Sequence, residues 1–144
     1  MQVRIYIHDT KEESGIEAAR KGASLIRRAV NGKGKATIIV ATGASQIEML
    51  QELISLRIDW SGITAFHLDE YIGLPADHPA SFRNYLKERF VNLVPLADFH
   101  AIDGEADPDR ECERLGNIIR QHQVDVAFIG IGENGHLAFN DPPA

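Results

Sequence analysis

The stretch ATIIVATGAS, residues 36–45, decides the class of fold that this sequence predicts. Its first part, residues 36–41, is almost entirely apolar instead of alternating with polar residues, which is typical of a strand buried on both faces of a parallel sheet. The small residues Thr42-Gly43-Ala44-Ser45 follow at once and lead into an amphipathic helical stretch. A buried strand, a short loop and an amphipathic helix form the repeating unit of α/β proteins.

The same alternation of short apolar runs and longer amphipathic stretches continues on both sides of residues 36–45. It predicts further strands at residues 3–7, 63–68, 99–102 and 124–131. Helices are predicted after the capping residues Thr10, Ser81 and Asp107, and Asn31-Gly32 is expected to end the first helix. Such alternation favours right-handed crossovers between parallel strands, with helices on both faces of the sheet. No linker interrupts the pattern, so residues 1–144 are expected to form a single α/β domain.

The composition is that of an ordinary globular protein, since hydrophobic residues make up 44% of the 144 residues and charged residues 25%. The net charge of −6 argues against a broad nucleic-acid surface. No apolar run approaches the roughly 18 residues of a membrane-spanning helix. Residues 1–10 lack the basic-then-apolar plan of a signal peptide. The expected setting is therefore the cytoplasm.

The cysteine and histidine content argues against a metal centre. Cys112 is the only cysteine, which excludes an internal disulfide and a multi-cysteine metal site. It shares an apolar helix face with Leu115 and Ile119, so we expect it in the core. The remaining candidates show no reliable metal-ligand spacing, and we expect His67 to pack within its strand; they are His67, His78, His100 and His122.

Three of the predicted strands run directly into loops rich in glycine and polar residues. These loops are TGAS at residues 42–45, DEYIGLPADHP at residues 69–79 and GENGHLAFND at residues 132–141. In an open parallel sheet, ligands bind beyond the carboxyl ends of the strands. We therefore expect the three loops to leave the same edge of the sheet and to surround one cleft.

The loop at residues 42–45 has the features of an anion site. Gly43 and Ala44 allow a ligand close to the backbone, and the start of a helix offers free N–H groups. Thr42 and Ser45 add hydroxyl donors. The simpler alternative is that Ser45 only caps the helix and that Gly43 only eases a turn.

Asp69 and Glu70 follow the strand at residues 63–68 without a break. Neighbouring side chains on an extended segment point in opposite directions, so one carboxylate can face the cleft while the other has a structural role. A carboxylate at a strand end is a reasonable general base. The alternative is a solvated acidic loop or a helix cap. We also consider Arg83, on the following helix, as a side chain that reaches a phosphate.

The run GIGENGH at residues 130–136 places His136 just after a glycine-rich turn. An imidazole can exchange protons near neutral pH, which suits acid–base chemistry. Asn134 and Asp141 lie on either side of it in sequence, and a carboxylate or amide bonded to an imidazole orients the ring. The alternative is a histidine whose hydrogen bonds are satisfied by the local backbone.

Two long motifs, FHLDEYIGLPADHPASFRNYL at residues 66–86 and GIGENGHLAFNDP at residues 130–142, resemble the glucosamine-6-phosphate deaminase/isomerase family. Its sugar-phosphate isomerase fold is shared with 6-phosphogluconolactonase. The resemblance implies a three-layer, Rossmann-like α/β fold with an open, mainly parallel sheet. It also implies conversion of glucosamine 6-phosphate to fructose 6-phosphate and ammonia, with no metal or organic cofactor. Family chains are longer, so residues 1–144 would be the N-terminal part of such a chain.

By position, the resemblance assigns Asp69 as the base that moves a proton from C2 to C1, and His136 as the residue that opens the sugar ring. Asn134 and Asp141 would assist His136. The expected substrate-binding residues are backbone and hydroxyl groups of two loops, namely Thr42, Gly43, Ala44, Ser45 and Gly135. Asp141 stands where the family commonly has Glu, and Ala44 replaces a usual glycine.

Two other functions fit parts of the sequence. One is a 6-phosphogluconolactonase-like hydrolase, although the run LAFND at residues 137–141 favours the deaminase. The other is a non-catalytic sugar-phosphate-sensing domain, which would not need both Asp69 and His136. The expected partner is a small hexosamine phosphate, with neither nucleic acid nor membrane involved, and a homo-oligomer stays an open option.

Overall fold

The computed structural model describes residues 3–143. Its strands are β1 (Ala36–Val40), β2 (Ile63–His67), β3 (Asp98–His100) and β4 (Val126–Phe128), and its helices are α1 (Lys11–Lys33), α2 (Ile47–Ser55), α3 (Phe82–Arg89) and α4 (Pro108–Ile119). The strands form one sheet in the order β3-β2-β1-β4, and every neighbouring pair is parallel. The predicted parallel α/β architecture is confirmed.

Alternate residues of β1 point to opposite faces of the sheet, and the two faces meet different parts of the chain. Ala36, Ile38 and Val40 belong to the core that also holds the buried side chains of α1, α2 and α3. Thr37 lies on the other face, where its hydroxyl is 3.3 Å from Nδ1 of His122, just beyond α4. Because the strands are parallel, the loops that follow β1, β2 and β4 leave the same edge of the sheet.

The helices begin where their capping residues predict. The side chains of Thr10 and Asp107 accept the N–H groups three residues further on, both at 3.1 Å, and Ser81 does the same for α3. The predicted end of α1 at Asn31-Gly32 is wrong. The helix continues to Lys33, because Gly34 adopts the left-handed φ of 74° and donates its N–H to the Val30 carbonyl at 2.8 Å.

The strand predicted at residues 3–7 is absent. Val3, Ile5 and Ile7 are 81%, 81% and 90% exposed, and the segment has no regular structure. A strand needs a neighbour to accept and donate its backbone hydrogen bonds. Within residues 3–143, the sheet offers this segment no pairing, so β propensity alone does not make it a strand.

The last strand is much shorter than the predicted 124–131. It pairs only with β1, and its final pair, Val40 with Phe128, is also the end of β1. Beyond that point Ile129 and Ile131 are exposed. Just before β4 begins, the Asp125 carboxylate accepts the Thr37 N–H at 2.8 Å, so a side chain replaces a backbone carbonyl as the partner of this N–H. Likewise, the strand predicted at 99–102 lies at Asp98–His100, where β2 supplies its partners.

The expectation that Cys112 lies in the core is wrong, because this residue is exposed. The buried side of α4 is at Glu111, whose carboxylate binds Arg114 and the Asp103 N–H, and Leu115 is only half-buried. Cys112 therefore sits at the edge of the packed face. Of the helices within residues 3–143, none has the length and apolar character that crossing a bilayer requires.

Candidate active site

The three strand-end loops surround a pocket of about 220 Å³ at the carboxyl edge of the sheet. Thr42, Gly43 and Ser45 line it from the loop after β1, and Asp69 lines it from the loop after β2. Gly132 and His136 line it from the loop after β4. Residues far apart in sequence thus meet in one small cavity, as the strand-end rule predicts.

A larger groove, of about 480 Å³, runs between α1 and β4. Its one titratable lining residue is Lys11, whose ammonium is paired with Glu48 at 2.7 Å. The smaller pocket contains both a carboxylate and an imidazole. Acid–base chemistry therefore points to the smaller pocket rather than to the larger groove.

The loop after β1 approaches α2 through a 3-10 turn at Ala44–Gln46, which the sequence did not predict. Gly43 adopts a φ of 101°, a backbone conformation that is strained for any residue with a side chain. Its carbonyl accepts the Gln46 N–H at 3.0 Å. The Ser45 hydroxyl accepts a hydrogen bond from the Gln46 side chain at 3.3 Å and does not cap the helix. Ser45 is therefore free of the capping role that was the simpler alternative.

The Tyr85 hydroxyl holds this loop from α3, donating to the Gly43 carbonyl at 3.1 Å. Sequence reasoning missed this contact, because Tyr85 sits in a helix that the pattern assigns only to packing. Gly130 also approaches the loop, since a Cβ there would lie 3.2 Å from the Ser45 hydroxyl. The loop after β1 is thus bounded by α3 on one side and by the end of β4 on the other.

Asp69 and Glu70 have different surroundings, as the alternation along an extended segment predicts. Asp69 is half-buried and lines the pocket. Burial raises the pKa of its carboxyl above the ordinary value, the Glu70 anion raises this pKa further, and His136 opposes both effects. The Glu70 side chain is fully buried instead. Hydrogen bonds from the Arg83, Phe82 and Tyr71 N–H groups outweigh its burial and hold the pKa of Glu70 below the ordinary value.

The His136 imidazole is oriented through its Nδ1 atom. Nδ1 contacts the side-chain oxygen of Asn134, and an Asp141 carboxylate oxygen lies 3.1 Å away. The Asn134 amide also donates to Asp141 at 3.1 Å, so the three side chains form one network. Because Nδ1 is engaged, Nε2 is the nitrogen that remains for proton exchange with a ligand. Asn134 and Asp141 contact His136 but do not line the pocket.

Gly132 is required by the position of this imidazole. A Cβ built on Gly132 would overlap three atoms of the His136 ring. The Gly132 N–H also donates to the His136 carbonyl at 2.9 Å, which closes the turn. Gly135 forms the turn with φ 85° and does not line the pocket, and Ala44 is likewise outside the lining.

Two aromatic side chains that the sequence analysis did not single out complete the wall of the pocket. Phe82 and Phe139 both line it, with ring centroids 5.8 Å apart and 5° between the ring planes. The centroid of the Tyr71 ring lies 4.9 Å from that of Phe82 and 5.0 Å from that of Phe139. The available signal was a phenylalanine within a glycine-rich polar loop, where no apolar helix or strand face accounts for it.

Arg83, which the sequence suggested as a side chain that reaches a phosphate, does not line the pocket. Its side chain is buried, and the guanidinium donates to Asp103 at 2.9 Å and to the Leu74 carbonyl at 2.7 Å. His67 packs as predicted, buried in β2, and burial lowers its pKa to about 4. In residues 3–143, no three side chains of the types His, Cys, Asp and Glu are gathered as a metal ion would require.

Comparisons with known proteins identify relatives of the same fold. A solved monomeric glucosamine-6-phosphate deaminase superposes with a TM-score of 0.89 at 31% identity, over 97% of this chain and 60% of that chain. A 6-phosphogluconolactonase from Shewanella baltica OS155 gives a TM-score of 0.76 at 28% identity, over 90% of this chain and 57% of that chain. The shared fold is therefore found with two different chemistries.

A glucosamine-6-phosphate deaminase from an Exiguobacterium species, strain AT1b, is 39% identical over 127 residues, which are 88% of this chain and 50% of the relative. The chain thus spans about half the length of the curated relatives it matches. The family model described as glucosamine-6-phosphate isomerases/6-phosphogluconolactonase matches residues 9–139. This chain therefore belongs to the family of glucosamine-6-phosphate isomerases and 6-phosphogluconolactonases.

Proposed function

We propose that this protein is an amino-sugar-phosphate deaminase/isomerase, which converts glucosamine 6-phosphate and water to fructose 6-phosphate and ammonia. The observation that carries the proposal is that Asp69 and His136 line one pocket together with Thr42, Gly43 and Ser45. A carboxylate base, an imidazole and a loop of hydroxyl and amide donors are the groups that this reaction needs.

The sugar phosphate binds through the loop after β1 in this proposal. The Thr42 and Ser45 hydroxyls donate to phosphate oxygens, and amides near the start of the 3-10 turn add further donors. Ala44 and Gly135 would contribute backbone groups only. The hydrogen bond from Tyr85 to Gly43 supports this assignment because it fixes the loop before a ligand arrives.

His136 opens the sugar ring. It takes the proton of the C1 hydroxyl and returns a proton to the ring oxygen as the bond between C1 and that oxygen breaks, which leaves an open-chain aldehyde. Asn134 and Asp141 hold Nδ1, so the ring presents Nε2, and the Asp141 carboxylate stabilises the imidazolium that forms.

Asp69 then takes the proton from C2 of the open-chain aldehyde and delivers a proton to C1. During this transfer O1 gains a proton and the amino nitrogen loses one, so the product is an imine at C2 beside a C1 hydroxyl. Water adds to C2 and ammonia leaves, which gives the ketone of fructose 6-phosphate. The raised pKa of Asp69 suits this role, because a carboxylate with a higher pKa is a stronger base.

A second candidate, hydrolysis of a sugar-phosphate lactone, is favoured by the likeness to the Shewanella baltica 6-phosphogluconolactonase. In that reaction His136 would activate water for attack on the lactone carbonyl. No proton would move between C2 and C1, so Asp69 would not be required as a base. The dependence on Asp69 therefore separates the two candidates.

The test incubates the purified protein with glucosamine 6-phosphate while ammonia and fructose 6-phosphate are measured, and with 6-phosphogluconolactone in parallel. We expect the parent protein to form both products from the amino sugar. Asp69→Asn should form them about 10²-fold or more slowly, as is typical when a general base is removed. We expect His136→Gln to slow chiefly the use of the closed-ring form. Lactone hydrolysis that survives in Asp69→Asn would favour the second candidate, and binding without turnover of either compound would contradict both.

A further inference from the structure

The Glu70 carboxylate is buried immediately beside the candidate base. Both residues line a neighbouring cavity of about 320 Å³, whereas only Asp69 lines the pocket that contains His136. The Glu70 side chain is 0% exposed. The Arg83 guanidinium lies near it, with Nε 3.4 Å from Oε2. A buried carboxylate is costly unless all its oxygen lone pairs have partners, so the contacts of Glu70 need an explanation.

Four hydrogen-bond donors converge on this carboxylate. Oε1 accepts the Tyr71 N–H at 2.9 Å and the Phe82 N–H at 3.0 Å. Oε2 accepts the Arg83 N–H at 2.8 Å and the Ser81 hydroxyl at 2.9 Å. Every partner is a donor, so the site accommodates the ionised carboxylate and would oppose an amide NH2 group.

These contacts join two segments that both form the pocket. The N–H groups of Phe82 and Arg83 lie in the first turn of α3, where a helix leaves its donors unsatisfied and attracts a negative charge. Glu70 satisfies them from the loop after β2. Phe82 lines the same pocket as Asp69. The backbone on the carboxyl side of Asp69 is therefore fixed relative to the opposite wall of the pocket.

The Arg83 side chain extends the same connection along the loop. Its guanidinium donates to the Leu74 carbonyl at 2.7 Å and to Asp103 at 2.9 Å. The loop after β2 is thus held to α3 at residue 70 and again at residue 74. On the other side of Asp69, the Leu68 N–H donates to the Val40 carbonyl at 3.1 Å, so Asp69 lies between two fixed points.

We propose that Glu70 is a positioning residue, whose buried carboxylate ties the loop after β2 to the first turn of α3 and thereby holds the Asp69 carboxylate in place against its substrate. The inference rests on the proposed function, in which Asp69 carries the proton from C2 to C1. Misplacing a catalytic base by about 1 Å can cost on the order of 10²-fold in rate. The role differs from simple structural support because it acts on the proton-transfer step.

The charges that face Asp69 make this role measurable. Glu70 faces it from its own loop, and His136 faces it from the loop after β4. The Glu70 anion disfavours ionisation of Asp69, so removing that charge lowers the pKa of Asp69. Greater exposure of Asp69 would lower the same pKa, because burial is the largest cause that raises it. A variant that keeps the charge at position 70 is therefore needed to separate the loss of charge from the loss of hydrogen bonds.

The experiment compares Glu70→Gln and Glu70→Asp with the parent protein, and uses Thr10→Ala as the matched control. Thr10 caps α1 with a 3.1 Å hydrogen bond to the Glu13 N–H, so its loss also removes a contact at a helix start. We expect Glu70→Gln to lower kcat by about tenfold or more with KM within about twofold, since positioning acts on the chemical step. Its acid limb should move to lower pH.

Glu70→Asp keeps the charge but is one methylene shorter. We expect its acid limb to stay with that of the parent, while its kcat falls because the shorter side chain cannot reach all four donors. Thr10→Ala should lose stability and keep the parent's kcat and pH profile. If Glu70→Gln keeps the parent's kcat and acid limb, or if Thr10→Ala reproduces its effects, the positioning role is wrong. Should Glu70→Gln fail to fold, Glu70→Asp with the parent's kcat would also overturn it.

Two readouts need no turnover and keep this inference separate from the proposed function. One is the titration of the Asp69 carboxyl followed by carbon NMR, whose midpoint should fall in Glu70→Gln. The other is hydrogen exchange at the Tyr71, Phe82 and Arg83 amides, which should become faster. An inactive parent protein would contradict the proposed function. An unchanged Asp69 titration together with unchanged exchange would contradict the role of Glu70.

Discussion

The Tyr85 hydroxyl donates a 3.1 Å hydrogen bond to the Gly43 carbonyl and so connects α3 to the loop after β1. Burial raises the pKa of the Tyr85 hydroxyl, with a smaller opposing effect from Arg89, so the group stays protonated and able to donate. The first turn of α3 also bonds to Glu70, next to Asp69. One short helix therefore holds both the proposed phosphate loop and the proposed base.

Tyr85→Phe removes the hydroxyl and leaves the ring. We expect KM for the sugar phosphate to rise about fivefold and kcat to change less, because one hydrogen bond that preorganises the loop is worth about 1 kcal/mol. Steady-state kinetics measure both values. Tyr6→Phe, in a residue 51% exposed on the N-terminal segment, is the control and should match the parent. A lower kcat at constant KM would place Tyr85 in the chemical step instead.

Arg83→Met tests whether Arg83 is structural, as its contacts indicate, or binds phosphate. We expect the free energy of unfolding to fall by about 3 kcal/mol, because the buried Glu70 carboxylate and the partly buried Leu74 carbonyl lose their cationic partner. Urea unfolding measures this loss. Arg28→Met, at an exposed position of α1, should change stability by less than about 0.5 kcal/mol.

If the pocket binds phosphate as proposed, we expect inorganic phosphate to inhibit Arg83→Met and the parent equally, because the guanidinium bonds to Asp103 and Leu74 rather than to the pocket. Weaker phosphate inhibition in a protein of unchanged stability would support the original expectation from the sequence.

Asp69→Asn should increase stability at neutral pH while it removes isomerisation. Burial and then Glu70 raise the pKa of Asp69 in the folded state, so the ionised form is less favourable there than in the unfolded chain. The stability gain is therefore present above the folded-state pKa. It shrinks as the pH falls through that value and vanishes below the unfolded-state pKa. Denaturation across this pH range checks it, and a variant less stable than the parent at pH 7 would contradict the assignment.

His67→Asn should reduce the loss of stability on acidification. Burial lowers the pKa of His67 to about 4, the Glu70 anion opposing, so between pH 6.5 and pH 4 the unfolded chain binds a proton that the folded chain refuses. Stability therefore falls as the pH falls through this window, by about 2 kcal/mol between pH 7 and pH 4.5 from this residue.

The asparagine oxygen can still accept the Ile102 N–H, which His67 Nδ1 accepts at 3.4 Å. Urea unfolding at the two pH values measures the difference between the variant and the parent. His78→Asn, at an exposed position, is the control and should lose as much stability as the parent. Equal losses in His67→Asn and the parent would show that His67 does not resist protonation.

Local patterns were enough to locate β1, β2 and the starts of α1, α3 and α4. A buried strand needs a run of apolar residues, and a helix start needs a side chain such as Ser81 that accepts an N–H three residues on. These signals lie within a few residues of one another. The same locality explains the errors at residues 3–7 and 124–131, because the extent of a strand depends on which strand lies beside it.

The candidate site divides in the same way. The meeting of Asp69 and His136 with Thr42, Gly43 and Ser45 followed from the sequence, because parallel strands place their following loops at one edge. The roles of Glu70, Tyr85 and Phe139 did not, since each depends on a partner that is distant along the chain.

Residue patterns alone thus predict a parallel α/β protein with its polar strand-end loops on one side, because hydrophobic periodicity and capping are short-range properties of the chain. The burial of Glu70 at the start of α3, the burial of Arg83 and the exposure of Cys112 are instead consequences of the three-dimensional packing. Whether a side chain is buried, and which donor or acceptor it meets, depends on how distant elements pack, and no local pattern of residues encodes that packing.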